Sequence, residues 1–195
     1  MAALFAILLF VVGAALLTEG LFIRTKAVVA QILLEDAWAK TVETGKPAKA
    51  WSWADTWPVA RIDFPSLGRS AIILEQAGGE AMAFGPAHVG GTPLPGERGV
   101  SVIGGHRDTH FRFIKDLTTG AEIEVTKSNG DHVRFVVTGS AIVHANASGI
   151  NPEGSLPRLA LVTCYPFDGL TRGPLRYIVF AEALSPRQPN LAQNR

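Results

Sequence analysis

Apolar positions follow three successive patterns along the chain. From Ala2 to Leu17 every residue is apolar or glycine, and after Thr18 and Glu19 the run resumes through Leu21, Phe22 and Ile23. About 20 helical residues cross the hydrocarbon core of a bilayer, so residues 1–23 are long enough for a transmembrane anchor. No Lys or Arg precedes the run, and it exceeds the apolar centre of a cleaved signal, which favours an uncleaved anchor. From Lys26 to Val42 the pattern turns amphipathic. Val28, Val29, Ile32, Leu33, Ala37 and Trp38 recur at helical spacing among Lys26, Glu35, Asp36 and Lys40, and Gly45 and Pro47 end the stretch. This predicts a stalk helix that packs through that apolar set. Trp51, Trp53 and Trp57 follow; far along the chain from the span, they read as a packed connector rather than a membrane-interface belt.

From about residue 56 the period shortens. Apolar segments at Val59–Phe64, Ser70–Glu75, Val100–Ile103, Glu122–Thr126, His132–Val143, Leu159–Thr163 and Leu175–Ala183 alternate with Gly/Pro turn signals. Asn129-Gly130 marks a hairpin. With one short helix near Glu80–Phe84, the expectation is a mainly β domain, a closed barrel of seven or eight strands with short helices, over residues 56–184. Residues 24–55 are then stalk helix and Trp-rich connector, and 185–195 a polar tail.

Composition narrows the chemistry. With 18 basic and 17 acidic residues the net charge is +1; no basic stripe exists to bind nucleic acid. One cysteine among 195 residues excludes an internal disulfide and a thiolate metal cluster. His106 and His110 are four apart, a zinc spacing on a helix, but Gly104-Gly105 and Asp108 mark a loop and no third ligand is evident. Neither metal nor cofactor is expected.

Cys164 ends the strand Leu159-Ala-Leu-Val-Thr163, just before the turn-forming Tyr165-Pro166. His106 follows the strand Ser101-Val-Ile-Gly-Gly105. Arg176 opens the strand Leu175-Arg-Tyr-Ile-Val-Phe180, on the same side as Ile178. Taken singly, each has an ordinary explanation: an inert small thiol, a surface imidazole, a solvated charge. Placed together at strand ends, they suit nucleophile, acid/base and anion binder.

The segments ending in His106 and Cys164 and the segment opening at Arg176 resemble the three signature segments of the sortase family, in order, spacing and strand context. The segment Gly90-Gly-Thr-Pro-Leu-Pro-Gly96 is similar to the family's loop at that place, and the resemblance covers about residues 56–183. The strings Cys164-Tyr-Pro-Phe-Asp168 and Gly173-Pro-Leu-Arg176, with the anchor and stalk, look most like the proteobacterial branch of Gram-negative cells. The resemblance implies a cysteine transpeptidase that cleaves a C-terminal sorting motif of the Leu-Pro-x-Thr-Gly kind on a partner protein. Cys164 would form the thioester, His106 would move the protons, and Arg176 would hold the oxyanion or substrate backbone. Thr163, His88, Asp108, Ser148 and Ile150 are the expected substrate-side residues, the last two in the connection before the Cys164 strand. For His88 a solvated loop position is the alternative, and Asp108 is also placed to orient His106.

The same resemblance implies a single-pass protein of the inner membrane with its catalytic domain in the periplasm. Arg24 and Lys26, the nearest charges after the span, argue for the opposite orientation. The amine acceptor is not specified by the sequence. Two rivals keep every residue: a tethered peptide-binding barrel with an inert thiol, and a hydrolase of the same fold.

Overall fold

The computed structural model describes residues 2–78, 81–168 and 173–184; the expected tail 185–195, and Glu80 of the expected short helix, lie outside them. Anchor and stalk form one unbroken helix, α1 (Ala2–Thr44), of 43 residues, about 65 Å long at 1.5 Å per residue. It is long and apolar enough to cross a membrane, and its most apolar window is entirely unburied by protein. Its buried stripe starts only at Ala30 and continues through Leu34, Ala37, Trp38 and Thr41, a helical progression. This corrects the expected packing face. Ala37 and Trp38 are buried, but Val28, Val29, Ile32 and Leu33 are exposed. The helix ends as expected at Gly45, whose N–H donates to the Thr41 carbonyl at 2.9 Å.

Beyond α1 the chain closes an eight-stranded barrel. The strands are β1 (Pro58–Phe64), β2 (Arg69–Leu74), β3 (Ala87–His88), β4 (Gly99–Gly104), β5 (Glu122–Lys127), β6 (His132–His144), β7 (Pro157–Cys164) and β8 (Leu175–Ala183). Their order around the barrel is β1-β2-β3-β4-β7-β8-β6-β5, closed by pairing of β1 with β5. A four-residue helix, α2 (Ala81–Phe84), precedes β3. β3, only two residues long, carries no readable alternation, so the sequence left the strand number between seven and eight.

Strict alternation in β1, buried at every second residue, shows why a barrel forms: one face fills the interior and the other meets α1 or water. The interior is packed by Ile62, Phe64, Ile103, Phe135, Leu159 and Leu161, with Phe111 and Ile114 entering from the β4–β5 connection. A second cluster joins Leu34 and Trp38 of α1 to Ile72, Leu74, Ala81 and Ala87. The Arg61 guanidinium bonds Glu35 at 2.9 Å beside it.

β4 and β7 are parallel neighbours, and between them they bury apolar residues on both faces. Their outer face forms a third cluster, Val100, Val102, Ala160 and Ile178, partly covered by Ile150 from the β6–β7 connection. That connection is seated where the Pro152 carbonyl accepts the Val100 N–H at 2.9 Å. At Gly99, with φ +103°, a Cβ would stand 2.3 Å from the same oxygen, so only glycine allows this approach.

Candidate active site

Strand pairing brings the three sequence-selected residues to one end of the barrel. Cys164, half-buried, is the last residue of β7 and the register partner of Arg176 in β8. Directly paired residues of an antiparallel ladder project to the same face. By alternation that face is the outer one, shared with Ala160 and Val162 on β7 and with Ile178 and Phe180 on β8. An apolar trough therefore runs along the outside of the sheet and ends at a thiol and a guanidinium.

The His106 loop is tied to the Cys164 strand. Gly104 pairs with Val162, and the Gly105 N–H donates to the Val162 carbonyl at 3.0 Å. The Thr163 hydroxyl donates to the Gly105 carbonyl at 2.7 Å. Parallel register thus carries His106 alongside Cys164, with its imidazole exposed. The turn is closed by the Phe111 N–H donating to the His106 carbonyl at 3.0 Å. The buried Phe111 ring would lie 2.6 Å from a Cβ on Gly105. Glycine is therefore needed just before the histidine because a core ring occupies the space of its side chain.

Arg107, missed by sequence reasoning, makes a further tie. It is only 7% exposed. Its Nη1 donates to the Pro166 carbonyl at 2.6 Å and its Nε to Asp108 Oδ1 at 3.3 Å. One buried guanidinium thus joins the loop after the histidine to the turn after the cysteine. Its only sequence signal was adjacency to His106; the carbonyl it holds lies 59 residues away.

His110 Nε2 donates to the Ala83 carbonyl of α2 at a long 3.4 Å. Burial holds the His110 pKa below the usual histidine value; the Ala83 carbonyl opposes this, and positive charge on His106 adds to the lowering. Arg176 Nη1 donates to the carbonyls of Gly173 (3.1 Å) and Leu175 (2.9 Å), so its guanidinium rests against the segment that enters β8.

The substrate-side expectations separate. Thr163 is 2% exposed and its hydroxyl is committed to Gly105, so it faces away from the trough. His88 is not in a solvated loop: it sits on β3, 4% exposed. Its Nε2 lies 2.9 Å from the Thr92 carbonyl and 3.1 Å from that of Pro93, pinning the Gly90–Gly96 segment. Its Nδ1 is 3.7 Å from Glu75, too far for a hydrogen bond. Asp108 is exposed, and its carboxylate accepts from Arg107. The Ser148 hydroxyl oxygen accepts the Ile150 N–H at 3.4 Å. Ile150 lies over the outer cluster and lines a cleft of about 530 Å³ with Val100, Arg158, Phe180 and Glu182. That cleft is at the end of the trough remote from Cys164, where Arg158 and Glu182 pair at 3.1 Å.

This arrangement sets a thiol, an imidazole and a guanidinium at the head of an apolar channel, side-chain types that suit acyl transfer. Known proteins carry the same frame. A family model described as the sortase domain matches residues 62–184. Sortase D of Bacillus subtilis is 27% identical over 124 residues, which cover 64% of this chain and 63% of that protein. Sortase C-1 of Actinomyces oris superposes with a TM-score of 0.59 at 25% identity, over 66% of this chain and 75% of that one. A sortase D5 transpeptidase of Clostridium perfringens gives 0.65 at 23% identity, over 81% and 99%; at that identity the likeness speaks for the fold alone.

Proposed function

This chain belongs to the sortase family, and on that premise we propose that it is a membrane-anchored cysteine transpeptidase acting on a partner protein's C-terminal sorting signal. The substrate is a peptide of the Leu-Pro-x-Thr-Gly kind, extended along the outer trough. Cys164 thiolate attacks the threonine carbonyl; the tetrahedral oxyanion is stabilised by the several N–H donors of the Arg176 guanidinium. The C–N bond to glycine breaks as His106 protonates the leaving amine, giving a thioester. An incoming amine, deprotonated by His106, then displaces Cys164 and forms the new amide.

The observation that carries this reading is the register pairing of Cys164 with Arg176, beside a histidine loop bonded to the cysteine strand. Thr163 and Arg107 are positioning residues in this scheme; neither touches the reacting atoms. Ile150 borders the trough and Ser148 shapes the loop over it, while Asp108 and His88 act through Arg107 and the Gly90–Gly96 segment. The Cys164-to-Asp168 and Gly173-to-Arg176 strings favour the proteobacterial branch. The family resemblance favours an inner-membrane protein with its barrel in the periplasm, and the apolar patterning favours residues 1–23 as anchor, 24–55 as stalk and connector, and 56–184 as catalytic barrel.

Intact mass spectrometry of the detergent-solubilised chain with a Leu-Pro-x-Thr-Gly peptide library and amine acceptors tests the proposal. The expected result is a thioester adduct ending at threonine, amine-dependent product, and no adduct with Cys164→Ala. Arg176→Ala retains the thiol but loses on the order of 10²-fold or more in acylation rate. A folded wild-type chain that forms no adduct, and whose thiol resists alkylation, would replace catalysis by peptide binding.

A further inference from the structure

Trp51 and Trp53 stand well beyond the apolar span in sequence, but the fold returns them to it. They share a cavity of about 390 Å³ with Lys26, Val29, Leu33 and Phe84. At 1.5 Å per residue, Lys26 and Val29 lie roughly 5 and 9 Å along α1 from residue 23. The hydrocarbon core is about 30 Å thick and the headgroup regions add roughly 5–8 Å on each side. With the core filled by the helix up to residue 23, Lys26 stands within the headgroup layer and Val29 at about its outer edge, so the near end of the cavity opens there.

The surface there is mostly apolar, with Asp55 and Thr56 also in the cavity lining. Trp53 is 83% exposed, and Val28, Val29 and Ile32 are exposed on the adjoining helix, continuing the apolar span past its end. Indole rings concentrate at the glycerol and carbonyl level, where an apolar body and one N–H donor are both satisfied. The Lys26 stem can follow the same wall and bring its ammonium to lipid phosphate. The rear of the cavity is rigid. Trp51 meets Phe84 edge-on at 4.9 Å, and the Phe84 carbonyl accepts from Gln31 Nε2 at 2.7 Å.

We propose that Trp53 and this cavity form a membrane seat, occupied by phospholipid of the bilayer that α1 enters, which holds the barrel at a fixed height on that bilayer. The proposal rests on α1 being a membrane anchor. Its consequence reaches the active site: α2, whose Phe84 lines the seat, also accepts the His110 bond at Ala83. The catalytic loop is thereby referenced to the lipid surface through a single short helix.

The full chain is reconstituted into phosphatidylethanolamine and phosphatidylglycerol vesicles carrying lipids brominated either beside the glycerol or near the acyl-chain ends. Shallow bromines are expected to quench part of the tryptophan emission, deep bromines not, and Trp53→Phe to lose the shallow-quenched part. Trp53 is so exposed that the variant is expected to fold as the parent does, and a thermal melt checks this. Absence of shallow quenching in the parent overturns the seat. So does undiminished quenching in Trp53→Phe, when the chain resists alkaline extraction and the anchor still stands. A chain that alkaline buffer strips from the vesicles overturns anchor and seat together.

Discussion

At the scale of single residues, the candidate site is held together by the neighbours of Cys164 and His106. Thr163, Gly105 and Arg107 hold the His106 loop against the β7 terminus by a hydroxyl–carbonyl bond, a close ring contact and a guanidinium bridge. Removing Arg107 leaves the Pro166 carbonyl without this donor, a loss worth about 1–3 kcal/mol when buried, and frees two loops whose separation would set the attack geometry in the proposed mechanism. Arg107→Ala is expected to lower kcat for transpeptidation by about 10²-fold with a much smaller change in KM. Arg107→Lys, with one point donor for a planar fork, should recover only part of it. A fall confined to thermal stability, with kcat unchanged in the folded fraction, would reduce Arg107 to a structural role.

His110 gives a second residue-scale prediction. Its folded-state pKa is lowered, chiefly by burial, so the unfolded chain binds more protons in the interval below the ordinary histidine value of about 6.5. Stability is therefore complete above that value and declines as pH falls through the interval to the lowered pKa, below which no further loss arises from this group. Thermal melts between pH 8 and 5, read against His110→Gln, are expected to differ in slope in that interval, the variant being flatter (roughly pH 6.5 downward). Parallel slopes would refute the assignment.

At the scale of elements, the decisive contact is between the stalk half of α1 and the barrel. Leu34 and Trp38 cover Ile72, Leu74, Ala81 and Ala87, and each large apolar side chain so buried contributes about 1.5–3 kcal/mol. A chain starting at residue 45, where α1 has ended, discards that cover. It is expected to be about 3–6 kcal/mol less stable by urea denaturation than one starting at residue 26, and to expose an apolar patch on β2. The longer form should keep its acylation activity toward soluble peptide. Equal denaturation midpoints would show that the stalk merely leads to the barrel.

For the molecule as a whole, the parallel β4–β7 pair organises the rest. Its residues are buried on both sides, inward among Ile103, Leu159 and Leu161, outward among Val100, Val102 and Ala160. A sheet apolar on its outer face needs a cover, and the β6–β7 connection supplies only part of it through Ile150. In the proposed mechanism the remaining length is the peptide track, with Cys164 and Arg176 at its head. With α1 as the proposed anchor, one helix joins this track to the membrane, and in that proposal the height of the thiol above the bilayer follows from the packing of α1, α2 and the Trp51–Trp53 turn.

Much of this was legible in the sequence because it depends on near neighbours. An apolar run long enough to span a membrane, alternation within strands and the Asn129-Gly130 turn are local patterns. The positions of His106, Cys164 and Arg176 at strand ends could also be read, since a strand end is marked by the turn residues beside it. Parity put Arg176 on the side of Ile178, but did not by itself say that this side is the outside of the barrel, because both faces of the strand carry large apolar residues.

Contacts between distant residues were left to the tertiary structure. Helical spacing allowed α1 more than one apolar stripe, and the one chosen was that beginning at Ala30, since only it meets β2 and α2. His88 and Thr163 looked accessible until neighbouring strands buried them. The guanidinium of Arg107 acquired its partner only when β4 and β7 came side by side, and Trp53 its place beside Lys26 only when the connector folded back. Local sequence determines what an element can be; which of its faces is covered, and by which remote residue, is decided by closure of the barrel, where burial of apolar surface outweighs the preferences of any single segment.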